Sequence, residues 1–236
     1  MDLPQGYREF PPPRALRGVV DCLWTRVSGA SREVRIVPDG CTDLVWRRGE
    51  GTVVAGPDTG PKLVTVEEGD VLVGMRMLPG AGGAVLEAPV NAVRDLRVPA
   101  AELGRGFDLH GDLEPLEVLR RFAAVAADRR TDPVVAQAVH QVARQGVGRA
   151  ARELGISERQ LRRRFHSAAG YGPKTLSRIL RFRRFVRSVE RGGGDLARLA
   201  AEAGYADQAH LTRETRRLAG LPPTAFVRHW AAPRAG

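Results

Sequence analysis

Two stretches of this chain gather cationic and amide side chains at helical spacing. The first carries Arg159, Arg162, Arg163 and His166; the second carries Gln208, His210, Thr212, Arg213 and Arg216. At about 100° per residue the first set, and Thr212, Arg213 and Arg216 of the second, crowd one side of a helix, with Gln208 and His210 flanking near the first turn. Leu161, Phe165 and Ala168 in the first, and Leu211, Thr215 and Leu218 in the second, fall on the other side. Arginine can grip a guanine edge or a phosphate with two hydrogen bonds, and glutamine can do the same with adenine. The chemistry on offer is recognition of base edges in the major groove of duplex DNA.

The flanking residues supply the elements such helices need. Each follows a shorter helical stretch and a glycine turn: 147–154 with Gly155, and 195–203 with Gly204. That is the plan of a helix-turn-helix unit, in which a tight turn sets a recognition helix across a supporting one. Ser157 and Gln160 form a capping box at the first recognition helix, expected over about 157–168. Asp207 is the expected cap of the second, over about 207–218. The two units are copies of one module. Ala151–Ser157 aligns with Ala200–Ala206, Leu161-Arg162-Arg163 with Leu211-Thr212-Arg213, Gly170 with Gly220, and Pro173 with Pro223. Between them, 174–191 reads as a long helix carrying Arg178, Arg181, Arg183, Arg184 and Arg187. If it holds the recognition helices about 34 Å apart, both reach successive major grooves.

Charge divides the chain in the same place. Residues 1–146 hold 18 Lys+Arg against 20 Asp+Glu, whereas 147–236 hold 19 against 7. A near-neutral half joined to a strongly basic one implies two roles, the second directed at a polyanion. Catalysis finds little support. Two cysteines are too few for a disulfide framework or a four-cysteine zinc site. The five histidines have no metal-binding spacing, and Gly80-Ala81-Gly82-Gly83 lacks the lysine of a phosphate-binding loop. No cofactor or metal is expected. No apolar run is long enough to span a membrane and no secretory signal is evident, so the expected compartment is the cytoplasm.

The basic half resembles the DNA-binding domain of AraC/XylS-type bacterial transcription regulators, over roughly 133–230. Ala200, Gly204-Tyr205, Asp207-Gln208, His210-Leu211, Arg213, Gly220 and Pro222-Pro223 carry the likeness. It implies two helix-turn-helix subdomains joined by a long helix. It also implies base contacts from Arg159, Arg162 and Arg163 in one unit and from Gln208, His210, Thr212 and Arg213 in the other. One departure stands out: Thr215 occupies a position where the family has an aromatic, and its buried hydroxyl needs a hydrogen-bond partner. The first half is similar to an N-terminal domain of uncharacterised role attached to such units. Trp24, Val37–Leu44, Gly56-Pro57 and Gly74–Gly80 carry that resemblance. Many relatives use a cupin-like barrel there to sense effectors and to dimerise.

The first half reads as β-rich on its own terms. Short apolar runs at 34–37, 44–46, 52–55, 62–66 and 71–77 alternate with turn sequences such as Pro38-Asp39-Gly40 and Gly49-Glu50-Gly51. Two helices follow: 115–128, with Leu116, Leu119, Phe122 and Ala123 inward, and 133–144, with Val134, Ala138 and Val142 inward. The expected class is α+β: a β-rich domain (1–110), a helical linker (111–132) and an all-α double helix-turn-helix domain (133–236). Trp24, Asp39, Asp43, Trp46 and Arg76 are the candidates to line an effector site in the barrel mouth. Duplex DNA is the expected partner. A small-molecule effector, RNA polymerase and a second copy of the chain are further candidates. A different reading makes Cys41 the nucleophile or redox sensor of a DNA-targeted enzyme.

Overall fold

The computed structural model describes residues 3–103 and 106–231, the side chain of Ala231 excepted. The N-terminal half is built from eight strands: β1 (Gly6–Phe10), β2 (Val20–Val27), β3 (Arg32–Ile36), β4 (Asp43–Arg47), β5 (Gly51–Ala55), β6 (Lys62–Val66), β7 (Val71–Met77) and β8 (Arg97–Pro99). Six form an antiparallel sheet in the order β1-β2-β7-β4-β5-β8, and β3 pairs with β6 in a separate ribbon. The pairings nest about the turn at 48–50: β4 with β5, β3 with β6, β2 with β7. A long hairpin folded over on itself in this way is the wrap of a jelly roll, the architecture that cupins share. β1, β2 and β8 extend the sheet beyond the five runs read from sequence.

Strand alternation sorts the side chains by face. Leu23, Leu44, Trp46, Val73, Met75 and Met77 enter the core. That core is closed by helix α1 (Gly82–Leu86), a 3-10 turn at Val90–Ala92, and helix α2 (Pro115–Ala127). Residues 111–132, expected to form a helical linker, therefore include a helix packed on β2 and β7. Its buried face also differs from the expected one. Val118, Phe122 and Ala126 point inward, while Leu116 is 48% exposed. In helix α3 (Pro133–Gln145) Val135 and Val139 are buried beside Ala138 and Val142, and Val134 is only half-buried. In both helices packing selected a stripe about one residue round from the one chosen by hydrophobicity.

The C-terminal half continues with α4 (Val147–Glu153), α5 (Glu158–Ala169), α6 (Pro173–Glu190), α7 (Leu196–Ala203), α8 (Gln208–Ala219) and α9 (Pro223–Ala231). A second core runs through them. Leu161 and Phe165 of α5, Phe182 and Phe185 of α6, Leu211 of α8 and Phe226 of α9 are all fully buried. The rings of Phe182, Phe185 and Phe226 meet at centroid separations of 5.6–6.0 Å. The fold is thus α+β, with a sheet-rich domain followed by a helical one holding two helix-turn-helix units on the long helix α6.

Candidate nucleic-acid interface

Each helix-turn-helix unit is fixed by local hydrogen bonding. Ser157 Oγ accepts from the Gln160 amide N–H at 3.2 Å, and Gln160 Oε1 accepts from the Ser157 amide at 2.9 Å, which completes the capping box. Asp207 Oδ1 accepts from the His210 amide at 2.6 Å. Asp195 caps α7 through the amides of Ala197 and Arg198. Gly155 and Gly204 turn the chain with φ of +64° and +84°, a conformation that side-chain-bearing residues adopt at a steric cost.

These turns present one face of α5 and one face of α8 to solvent. On α5, Arg159, Arg162 and Arg163 are exposed, while His166 is half-buried near Gly172. On α8, Gln208, Arg213 and Arg216 are exposed and Thr212 is half-exposed. Thr212 Oγ1 donates to the Gln208 carbonyl at 2.8 Å. His210 sits edge-on against Tyr205, 5.1 Å between ring centroids, and its Nδ1 accepts from the Ala206 amide. The exposed arginines have no carboxylate partner among the described residues, so their donors are available to an incoming anion.

Two buried residues of α8 escaped the sequence reading or were read incompletely. Glu214 turns inward and accepts two hydrogen bonds from Arg178 of α6, at 2.7 and 2.9 Å, tying the second recognition helix to the connector. Burial raises the Glu214 carboxyl, but the hydrogen bonds and charge of Arg178 outweigh it and hold the group below its ordinary value. Thr215 is fully buried, and its hydroxyl donates to the Leu211 carbonyl one turn back, at 2.8 Å. The polar group is satisfied within its own helix.

Four of the five α6 arginines make contacts within the protein, whereas Arg187 is exposed. Arg178 pairs with Glu214, Arg183 with Asp21 of β2, and Arg184 donates to the Ala203 carbonyl. Arg181 lies over the Tyr205 ring, its guanidinium carbon 5.7 Å from the centroid.

The N-terminal candidates separate into two groups. Trp24, Asp39, Asp43 and Arg76 lie together. Trp24 Nε1 donates to Asp43 Oδ1 at 2.9 Å, and Arg76 Nε stands 3.2 Å from Asp39 and 3.4 Å from Asp43. Glu9 adds a third carboxylate, 3.0 Å from Arg76. Burial raises the Asp43 carboxyl above the ordinary carboxylate range, with the Arg76 charge opposing the rise. Trp46 stands apart, wholly buried on the opposite face of the sheet. Asp39 also accepts from the Cys41 amide, so it closes the turn that its sequence suggested. Cys41 is buried, and burial raises its thiol well above the usual range. Among the described residues, no three His, Cys, Asp or Glu side chains gather as a metal site would require.

The two domains meet at the ends of the recognition helices. The 3-10 turn at Val90–Ala92 and helix α1 pack on α5. Arg94 donates to the Gly170 carbonyl just past α5 at 3.4 Å, and Arg35 of β3 donates to the Ala219 carbonyl of α8 at 3.0 Å. Tyr171 is buried at the same junction.

Comparison with known proteins divides the chain along these lines. Residues 8–99 match a family described as a domain of unknown function, DUF6597, and residues 150–229 match one described as a helix-turn-helix domain. No curated protein matches the chain. Similar solved structures include ToxT from Vibrio cholerae, 9% identical, with a TM-score of 0.47 over 95% of this chain and 98% of that one. ToxT from Vibrio cholerae O395 bound to (E)-4-(8-methylnaphthalen-1-yl)but-3-enoic acid is 9% identical, with a TM-score of 0.48 over 96% and 100%. Unsaturated fatty acid-bound ToxT from strain SCE256 is 9% identical, with a TM-score of 0.46 over 96% of each chain.

Proposed function

We propose, from an AraC-type helix-turn-helix domain whose two recognition helices both expose arginines, that this chain is a sequence-specific transcription regulator reading two successive major grooves. The observation that carries the reading is the pairing of duplicated, capped units with unpaired outward arginines. Arg159, Arg162 and Arg163 contact bases or phosphates in one groove. Gln208, Arg213 and Arg216 do so in the next, and Thr212 joins them once its hydroxyl turns from the Gln208 carbonyl. His166 and His210 stand at the margins, where they brace the helices beside the backbone contacts. The N-terminal domain regulates this activity, because it grips the far end of each recognition helix.

Selection of bound sequences from random duplex DNA tests the reading. Two half-elements about one helical turn apart are expected. Recovery of no enriched sequence would refute it, and recovery of a single element would refute the two-groove part.

A further inference from the structure

We infer that the cleft between the two domains is a binding site for a compact, multiply charged oxyanion, a phosphate ester or a polycarboxylate. The inference rests on the regulator reading only for its consequence, since binding itself is independent of DNA.

The cleft holds about 800 Å³, within the range of small-molecule sites. Its walls come from β2 and the residues after β7 on one side, and from α3 and α6 on the other. Arg144 of α3 and Arg181, Arg183, Arg184 and Arg187 of α6 all line it. Five guanidiniums face one carboxylate there, that of Asp21, which pairs with Arg183. None of the other four has a carboxylate partner among the described residues. Like charges brought this close repel, and the neighbours show it. Burial and the charge of Arg181 both depress the proton affinity of Arg184.

One donor is left unsatisfied. Arg181 Nε is buried with no hydrogen-bond partner. Asp21 shows what suits the site, since an oxyanion already fills one corner and is bound by Arg183. Guanidinium forks suit phosphate and carboxylate oxygens, two bonds at a time. His140 adds a further donor, and Val139, Leu180 and Leu78 give the cleft a short apolar wall. A DNA duplex is too large for this space, which favours a small anion over a nucleic-acid backbone. Because residues of both domains form the walls, an occupant links the N-terminal domain to the helix that carries both recognition units. It would thus favour the docked arrangement.

Thermal unfolding of the full chain in pyrophosphate, citrate or chloride at equal ionic strength tests this. A specific anion binding only the folded state raises the midpoint by several degrees over chloride. A larger shift with pyrophosphate identifies a phosphate ligand, and a larger shift with citrate a polycarboxylate. Arg144 and Arg187 are exposed at the rim, so Arg144→Gln with Arg187→Gln keeps the fold and removes at least half of the shift. The paired control is Arg159→Gln with Arg163→Gln, on the proposed DNA face, which retains the full shift. No shift over chloride would overturn the inference. So would a shift lost in the recognition-helix variant but kept in the cleft variant, because the anion would then occupy the DNA face. Failure to enrich any duplex sequence would leave the anion result standing and strike only the regulator reading.

Discussion

Arg35, on the two-stranded ribbon of the N-terminal domain, donates a hydrogen bond to the carbonyl of Ala219, the last residue of the second recognition helix. Arg94 does the same for Gly170, the cap of the first. A cation at a helix C-terminus satisfies an orphan carbonyl and complements the helix dipole. One domain therefore holds α5 and α8 by matching ends, which gives it purchase on their relative orientation.

Removing both grips by Arg35→Ala and Arg94→Ala should loosen the docking while both domains stay folded. Amide hydrogen exchange should rise at 167–172 and 217–221, with α6 protection unchanged. The two bonds lie at partly exposed positions, so the stability lost should be about 1 kcal/mol each or less. Unchanged exchange at both helix ends would show that the docking depends on other contacts.

Arg163→Ala and Arg213→Ala should each weaken binding to a selected duplex by about 1–3 kcal/mol, roughly 5- to 150-fold. The circular dichroism of both variants should match the parent, since neither side chain is buried. A base-reading arginine should also relax specificity at one base pair. One that touches only phosphate should lower affinity evenly and flatten the salt dependence. Parent-like affinity in both variants would remove these residues from the interface.

Glu214→Ala should cost about 2 kcal/mol, between the values for exposed and buried ion pairs, because it strands a partly buried Arg178. The sign of the pH dependence follows from the lowered carboxyl. A carboxylate held below its unfolded value of about 4.3 stabilises the fold above that pH. It loses the contribution as pH falls through the folded value. Urea unfolding should therefore show a wide gap between parent and Glu214→Gln at pH 7 and a narrower one near pH 3.5. An equal gap at both would mean that the pair's charge contributes nothing.

Neither cysteine should react as a nucleophile. Burial pushes the Cys22 thiol up to about 12 and raises Cys41 as well. A chromogenic disulfide at pH 8 should leave the native chain unmodified and titrate two thiols in denaturant. Rapid modification of Cys41 in the native chain would favour the enzymatic or redox reading.

Much of the DNA-binding half was legible because its signals are local. A capping box, a capping aspartate and turn glycines each act within a few residues, and a 49–50-residue repeat exposed the duplication. What escaped depends on residues remote in sequence. The acidic partners of Arg178 and Arg183 lie 36 and 162 positions away, so α6 read as a connector carrying five arginines with no partner in view. The unmet demand of Thr215 was visible, but its answer required knowing that the hydroxyl turns back to Leu211. In the first half, strand alternation alone separates Asp43 from Trp46, odd from even on β4. Grouping them as lining residues overlooked that rule. β1 and β8 were missed because they are short and offer little alternation, and β2 because its mostly apolar, largely buried run does not alternate cleanly.

The nested strand pairing of the N-terminal domain also sets an order of assembly. Arg47 meets Gly51 across a tight turn, Ile36 must find Lys62, and Val27 must find Val71. Each wrap closes a larger loop than the one inside it, and the entropy lost grows with loop length. Folding there should spread outward from the turn at 48–50 and be slow for its size, whereas the helical half, rich in local contacts, should fold quickly. During synthesis the slower domain emerges first, which gives it a head start before α5 and α8 form against it.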